Sequence, residues 1–175
     1  MHLIYPVILE GHESYLYFLN DFRGHLALEM EKIENIVDQP YMGLHAYPRG
    51  KLGDCEWEFN HDNTFESAAE RWNKGRERFN YSNYAVFMTI RSDEAAYAFD
   101  ALPIKHKLGF YWKELNLKSV VCIPEWSNPE IRRRYAYDFA LIVNSIANGR
   151  TGTYRCKNIN WMKFLQFQDG FIRKI

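Results

Sequence analysis

Tyr84-Ala85-Val86-Phe87-Met88-Thr89-Ile90 is a nearly continuous apolar run of strand length, and Ser92 just beyond it opens a helix through Leu102 that Pro103 ends. A run without polar alternation suits a strand covered on both faces, as in a parallel sheet. Upstream, Thr64 is placed to cap a helix whose Phe65, Ala68, Ala69, Trp72 and Phe79 mark one side out to Asn80. Before it, Asp54 to Phe59 alternates, with Asp54, Glu56 and Glu58 on one face and Cys55, Trp57 and Phe59 on the other. Downstream, Lys107 to Trp112 and Ser119 to Ile123 read as two further strands, the second stopped by Pro124. Strand and helix thus alternate, which gives an α/β fold: a single domain with a mixed β-sheet flanked by helices.

The flanks extend this pattern. Tyr15, Leu16, Phe18, Leu19, Phe22, Leu26, Met30 and Ile33 recur at three- and four-residue steps and predict one or two amphipathic helices broken near Gly24. Pro40 to Gly53 is dense in Gly and Pro and reads as a turn-rich loop with a short strand at Tyr41 to Tyr47. Tyr135 to Ala147 and Asn160 to Gln168 have helical period, and Asn148-Gly149-Arg150-Thr151-Gly152 between them reads as a C-cap and turn.

A length of 175 residues fits one domain, and 47% hydrophobic residues supply its core. Lys plus Arg and Asp plus Glu each number 22, so no basic excess marks a nucleic-acid footprint. No apolar stretch approaches the ~20 residues of a membrane span. Three widely spaced cysteines, Cys55, Cys122 and Cys156, form neither a C-x-x-C pair nor a disulfide scaffold, and the start lacks a basic region before its apolar run. The expectation is a cytoplasmic protein. Among its 12 Phe, 12 Tyr and 5 Trp, most are core, while Trp112, Trp126 and Trp161 are candidates for stacking on sugar rings.

The densest polar chemistry lies between Tyr47 and Asn83. Trp72 and Arg76 share a helix face, and Arg71, Lys74 and Arg78 extend its cationic reach. Arginines suit phosphate because their planar donors bond two oxygens together. The intermingled Glu66, Glu70 and Glu77 give the other reading, a solvated face of exposed pairs. Asp54, Glu56 and Glu58 have oxygen ligands for a divalent cation, yet alternate strand residues stand about 7 Å apart, and cross-strand pairing with Lys or Arg is the competing use. His61 beside Asp62 is either a general base or a turn residue. No phosphate-loop, dinucleotide, nucleophile-elbow or clustered Cys/His metal motif occurs, and no metal site is assigned.

The stretch Tyr47-Pro48-Arg49-Gly50-Lys51-Leu52-Gly53-Asp54, then Glu58-Phe59-Asn60-His61, Glu66 to Ala69, Trp72, Arg76, Arg78, Phe79-Asn80, Asn83 and Tyr84 to Met88 resembles the bacterial family called domain of unknown function 1919. A weaker likeness continues through Phe99-Asp100, Leu102-Pro103 and Lys105 to residues 139–144. Family members often bear the label of exopolysaccharide biosynthesis. The resemblance implies an α/β fold and carries no established chemistry. Met1 to Glu13 has no counterpart of the family's opening strand and its turn rich in Ser, Asn, Cys, Trp and Gly, so a site built on that turn would be incomplete here.

These readings combine into an expectation: a protein of cell-surface polysaccharide assembly acting on a sugar nucleotide or sugar phosphate. In that scheme His61 or Asp54 is the general base, Arg76 with Arg49 or Arg78 holds phosphate, Trp72 supports or stacks, and Asn80 belongs to the binding set. The alternative is a non-catalytic carbohydrate-binding or assembly partner. A third, a domain that oligomerises through apolar helices, would leave these groups scattered.

Overall fold

The computed structural model describes residues 12–34, 47–59, 61–130 and 166. The strand expected at Tyr41 to Tyr47 (save Tyr47, which is not in a strand), the helices expected over 135–147 and 160–168 (save Gln166) and the turn at 148–152 lie outside the described residues. Within the single domain that the sequence suggests, the chain forms two compact units, Met1–Tyr81 and Ser82–Ile175.

In the first unit, α1 (His12–Asn20) and α2 (Phe22–Ala27) precede β1 (Glu31–Ile33), β2 (Arg49–Leu52), β3 (Cys55–Glu58) and α3 (Phe65–Glu77). The early break comes at Asp21 rather than near Gly24. The Asp21 carboxylate caps α2 by accepting the Gly24 N–H at 3.1 Å. Gly24 permits this, because a Cβ there would collide with the Asp21 carboxylate. Ile33, expected in the helical period, belongs to β1.

The strands pair antiparallel in the order β1-β2-β3, with Lys51 opposite both Glu31 and Glu56, and Arg49 opposite both Ile33 and Glu58. The strand β2 lies in the part of the Gly- and Pro-rich stretch, after Tyr47, expected as loop. Gly50 explains it: a Cβ there would come within 2.8 Å of Met30 Sδ and 3.0 Å of Phe65, so the glycine lets side chains press on the strand. A two-residue loop with Gly53 first, at φ 58°, joins β2 to β3 and makes them antiparallel. Trp57 meets Phe18 edge-on at 4.8 Å and Trp72 at 5.5 Å, and Leu19, Leu26, Leu52, Cys55, Phe59 and Ala68 are buried in the same unit.

The second unit contains β4 (Val86–Thr89), α4 (Asp93–Ala101), β5 (Lys107–Tyr111), β6 (Val120–Cys122) and a 3-10 turn over Pro124–Ser127. All pairings in its sheet are parallel, in the order β4-β5-β6. A helix between β4 and β5 makes the parallel pairing possible, since such strands need a crossover. The α/β class expected from the sequence is therefore present, with its antiparallel and parallel pairings divided between two three-stranded sheets. Every residue of the central β5 is buried, whereas β4 alternates. The continuous apolar run at Tyr84 to Ile90 thus marks a strand beside the centre. Gly109 in β5 is a second close approach: a Cβ would lie 2.5 Å from Ile90 and 3.1 Å from Phe99, so α4 could not seat its Phe99 against an alanine. No helix among the described residues is long and apolar enough to cross a membrane.

Candidate functional site

The residues expected to act together on phosphate and sugar are carried by the first unit, and the structure gives most of them separate partners. Arg49 on β2 bonds Glu56 of β3 at 2.6 Å, which is the cross-strand use of the acidic row. Its Nε is buried with no acceptor among the described residues. Glu58, opposite Arg49, has its carboxyl raised above the ordinary value by burial, against the lowering pull of the guanidinium. Asp54 lies outside the strand in the exposed β2–β3 loop, so the acidic face keeps only Glu56 and Glu58.

His61 is an exposed turn residue beyond the far end of β3, and Asp54 precedes the near end. The extended chain from Asp54 to Phe59 spans roughly 17 Å at about 3.3 Å per residue, so the two alternative bases flank opposite ends of β3. The neighbouring Asp62 is taken by an ion pair with Arg71. On α3, Trp72 is 4% exposed and turns its ring to Trp57, which makes it core. Arg76 reaches back to α2 and donates to the carbonyls of Leu28 at 2.7 Å and Leu26 at 3.3 Å. Those carbonyls lie where α2 ends, and a cation suits them. Arg78 caps α3 and donates to the Lys74 carbonyl at 2.8 Å, while Asn80 is exposed.

Trp126, a candidate for stacking on sugar, is 1% exposed. Trp161 lies outside the described residues.

The second unit gathers polar side chains that the sequence reading passed over. Ser92 caps α4 through the Ala95 N–H at 3.1 Å, directly after β4. Asp93, the first residue of α4, accepts the Tyr111 hydroxyl at 2.8 Å on one carboxylate oxygen and Lys113 on the other. Tyr111 ends β5 and Lys113 follows it, so the cluster stands at the carboxyl ends of parallel strands, where open α/β sheets place their ligand sites. The Lys113 hydrogen bond, followed by that of Tyr111, holds the Asp93 carboxyl below its ordinary value. The bond to Asp93 in turn raises Lys113 above the usual lysine value. Both groups therefore stay charged at neutral pH, a pair suited to recognition by fixed charge. At the same edge, the Cys122 thiol donates to the Trp112 carbonyl at 3.3 Å.

The sequence held one signal for this cluster: Asp93 and Lys113 each stand just beyond a strand of a β-α-β unit. The side chains meet only because β4 and β5 pair in parallel.

The model of the family described as Domain of unknown function (DUF1919) matches residues 8–163, and the chain belongs to that family. A protein of Haemophilus influenzae bearing the name "Uncharacterized protein" is 35% identical over 90 residues. The match covers 48% of this chain and 44% of that relative, so it spans less than half the relative's length.

Proposed function

We propose that this member of the family binds a sugar nucleotide or sugar phosphate at the carboxyl ends of β4 and β5, as a cytoplasmic component of cell-surface polysaccharide synthesis. The observation that carries the reading is the Asp93 carboxylate held between Tyr111 and Lys113 at the edge of a parallel sheet. Two carboxylate oxygens offer about four acceptor positions, so Asp93 can take sugar hydroxyls beside its two present donors. Lys113 has three donors and gives one to Asp93, leaving the others for a phosphate oxygen. The polysaccharide context rests on the label that family members often carry.

The duties of Arg49, Arg76 and Trp72 within the first unit favour this edge over the α3 face. They also lend support to a second reading, a non-catalytic carbohydrate-binding or assembly partner, because Asp93 and Lys113 are set for binding rather than for proton transfer near pH 7.

Thermal unfolding against a panel of sugar nucleotides, sugar phosphates and oligosaccharides, with and without magnesium or manganese, separates the readings. Binding to the native state raises the midpoint by mass action. The proposal expects a rise with phosphate-bearing sugars that Lys113→Ala abolishes. A rise with oligosaccharides alone would favour the carbohydrate-binding module, and no rise with any probe would overturn sugar binding and leave the assembly-partner reading.

A further inference from the structure

The edge of the parallel sheet also carries an exposed aromatic ring. Tyr97 lies four residues after Asp93 on α4, so the two side chains share a helix face with about 5–6 Å between their Cβ atoms. At 55% exposure Tyr97 is the most open of the three exposed large hydrophobic residues among those described. Lys113 bonds the Asp93 carboxylate, which sets the ammonium beside that helix face. The surface thus combines a flat apolar ring, an ionised carboxylate with spare acceptor positions and an ammonium group with spare donors.

We infer that Tyr97 is the seat of a nucleobase, so that the ligand class of this edge is a nucleoside diphosphate sugar rather than a simple sugar phosphate. The inference rests on the binding reading above and adds the base to it. A base on Tyr97 puts its ribose about one helical turn away, within reach of Asp93 as acceptor for the hydroxyls, and brings the diphosphate toward Lys113. Glu94, next to Asp93 in the first turn of α4, repels phosphate and leaves Lys113 as its attachment. Stacking is tolerant of base identity, because every base has a π-face.

The test is equilibrium binding of three probes, uridine diphosphate, guanosine diphosphate and inorganic pyrophosphate, to the full chain and to Tyr97→Ala, Tyr97→Phe and Lys113→Ala. Tyr97 is exposed, so its variants should fold, and unchanged thermal midpoints without ligand verify this. The expected result is a loss of roughly tenfold in affinity for both nucleotides in Tyr97→Ala. Tyr97→Phe should restore it, and pyrophosphate binding should not respond to either change. Lys113→Ala should weaken all three probes. Equal nucleotide affinity in wild type and Tyr97→Ala, with the Lys113 effect intact, would overturn the stacking role and leave the binding edge standing. Failure of every probe to bind the wild type would overturn both.

Discussion

One oxygen of Asp100, near the end of α4, accepts both the backbone N–H of Ser119 at 2.7 Å and its hydroxyl at 2.6 Å. Ser119 is buried just ahead of β6, so this carboxylate ties the carboxyl end of α4 to the entry of that strand. Lys107, buried at the start of β5, donates to the Leu102 carbonyl that follows the same helix. The helix is fastened to the amino ends of the sheet, and the opposite edge is left to the Asp93 cluster.

Replacing Asp100 with Ala strands the N–H of a buried residue. The expected loss is about 1–3 kcal/mol in chemical denaturation, the range for a buried donor deprived of its acceptor. Asp100→Asn, which keeps a carbonyl oxygen, should lose less.

Burial holds the Lys107 amine below the ordinary value of 10.5, with the Asp100 charge opposing. The unfolded chain then binds more protons than the folded one at pH values between the lowered value and 10.5, so this group makes stability rise with pH across that window. Below it the lysine is charged in both states and its contribution is flat. Lys107→Met removes the rise, so along an alkaline pH series the denaturation midpoint of the wild type should climb relative to that of the variant. Parallel curves would contradict the assignment.

Arg76 bonds the carbonyls at the end of α2, so Arg76→Ala should reduce stability by about 1–3 kcal/mol. Arg76→Lys should recover part of this, since a lysine supplies a cation without the fork of donors. The readout is again the denaturation midpoint.

Much of the framework was legible because its signals are local. Thr64 and Ser92 each cap the helix expected of them, and Cys55, Trp57 and Phe59 turn inward as their alternation requires. What escaped depends on contacts distant in sequence. The strand β2 was hidden by Gly50, a residue that weakens a strand on its own and is selected here by Met30 and Phe65 pressing against it. The helix break fell at Asp21 because a side-chain cap outweighs a glycine that is itself part of that cap. The candidate residues were harder to place for a similar reason. A cluster of arginines in sequence says nothing about whether each guanidinium already has a carboxylate or a helix end to satisfy, as Arg49 and Arg76 do. Asp93 and Lys113, twenty positions apart, become neighbours only through strand pairing.

The most direct test of where the ligand binds is the affinity of uridine diphosphate glucose for the wild type, Lys113→Ala and Arg76→Ala, measured by titration calorimetry under conditions where all three are folded. Placement at the carboxyl ends of β4 and β5 predicts a loss of about tenfold or more for Lys113→Ala, as for a charge-assisted bond removed, with affinity unchanged in Arg76→Ala. The reverse pattern, a loss with Arg76→Ala and none with Lys113→Ala, would contradict it and move the site to α3.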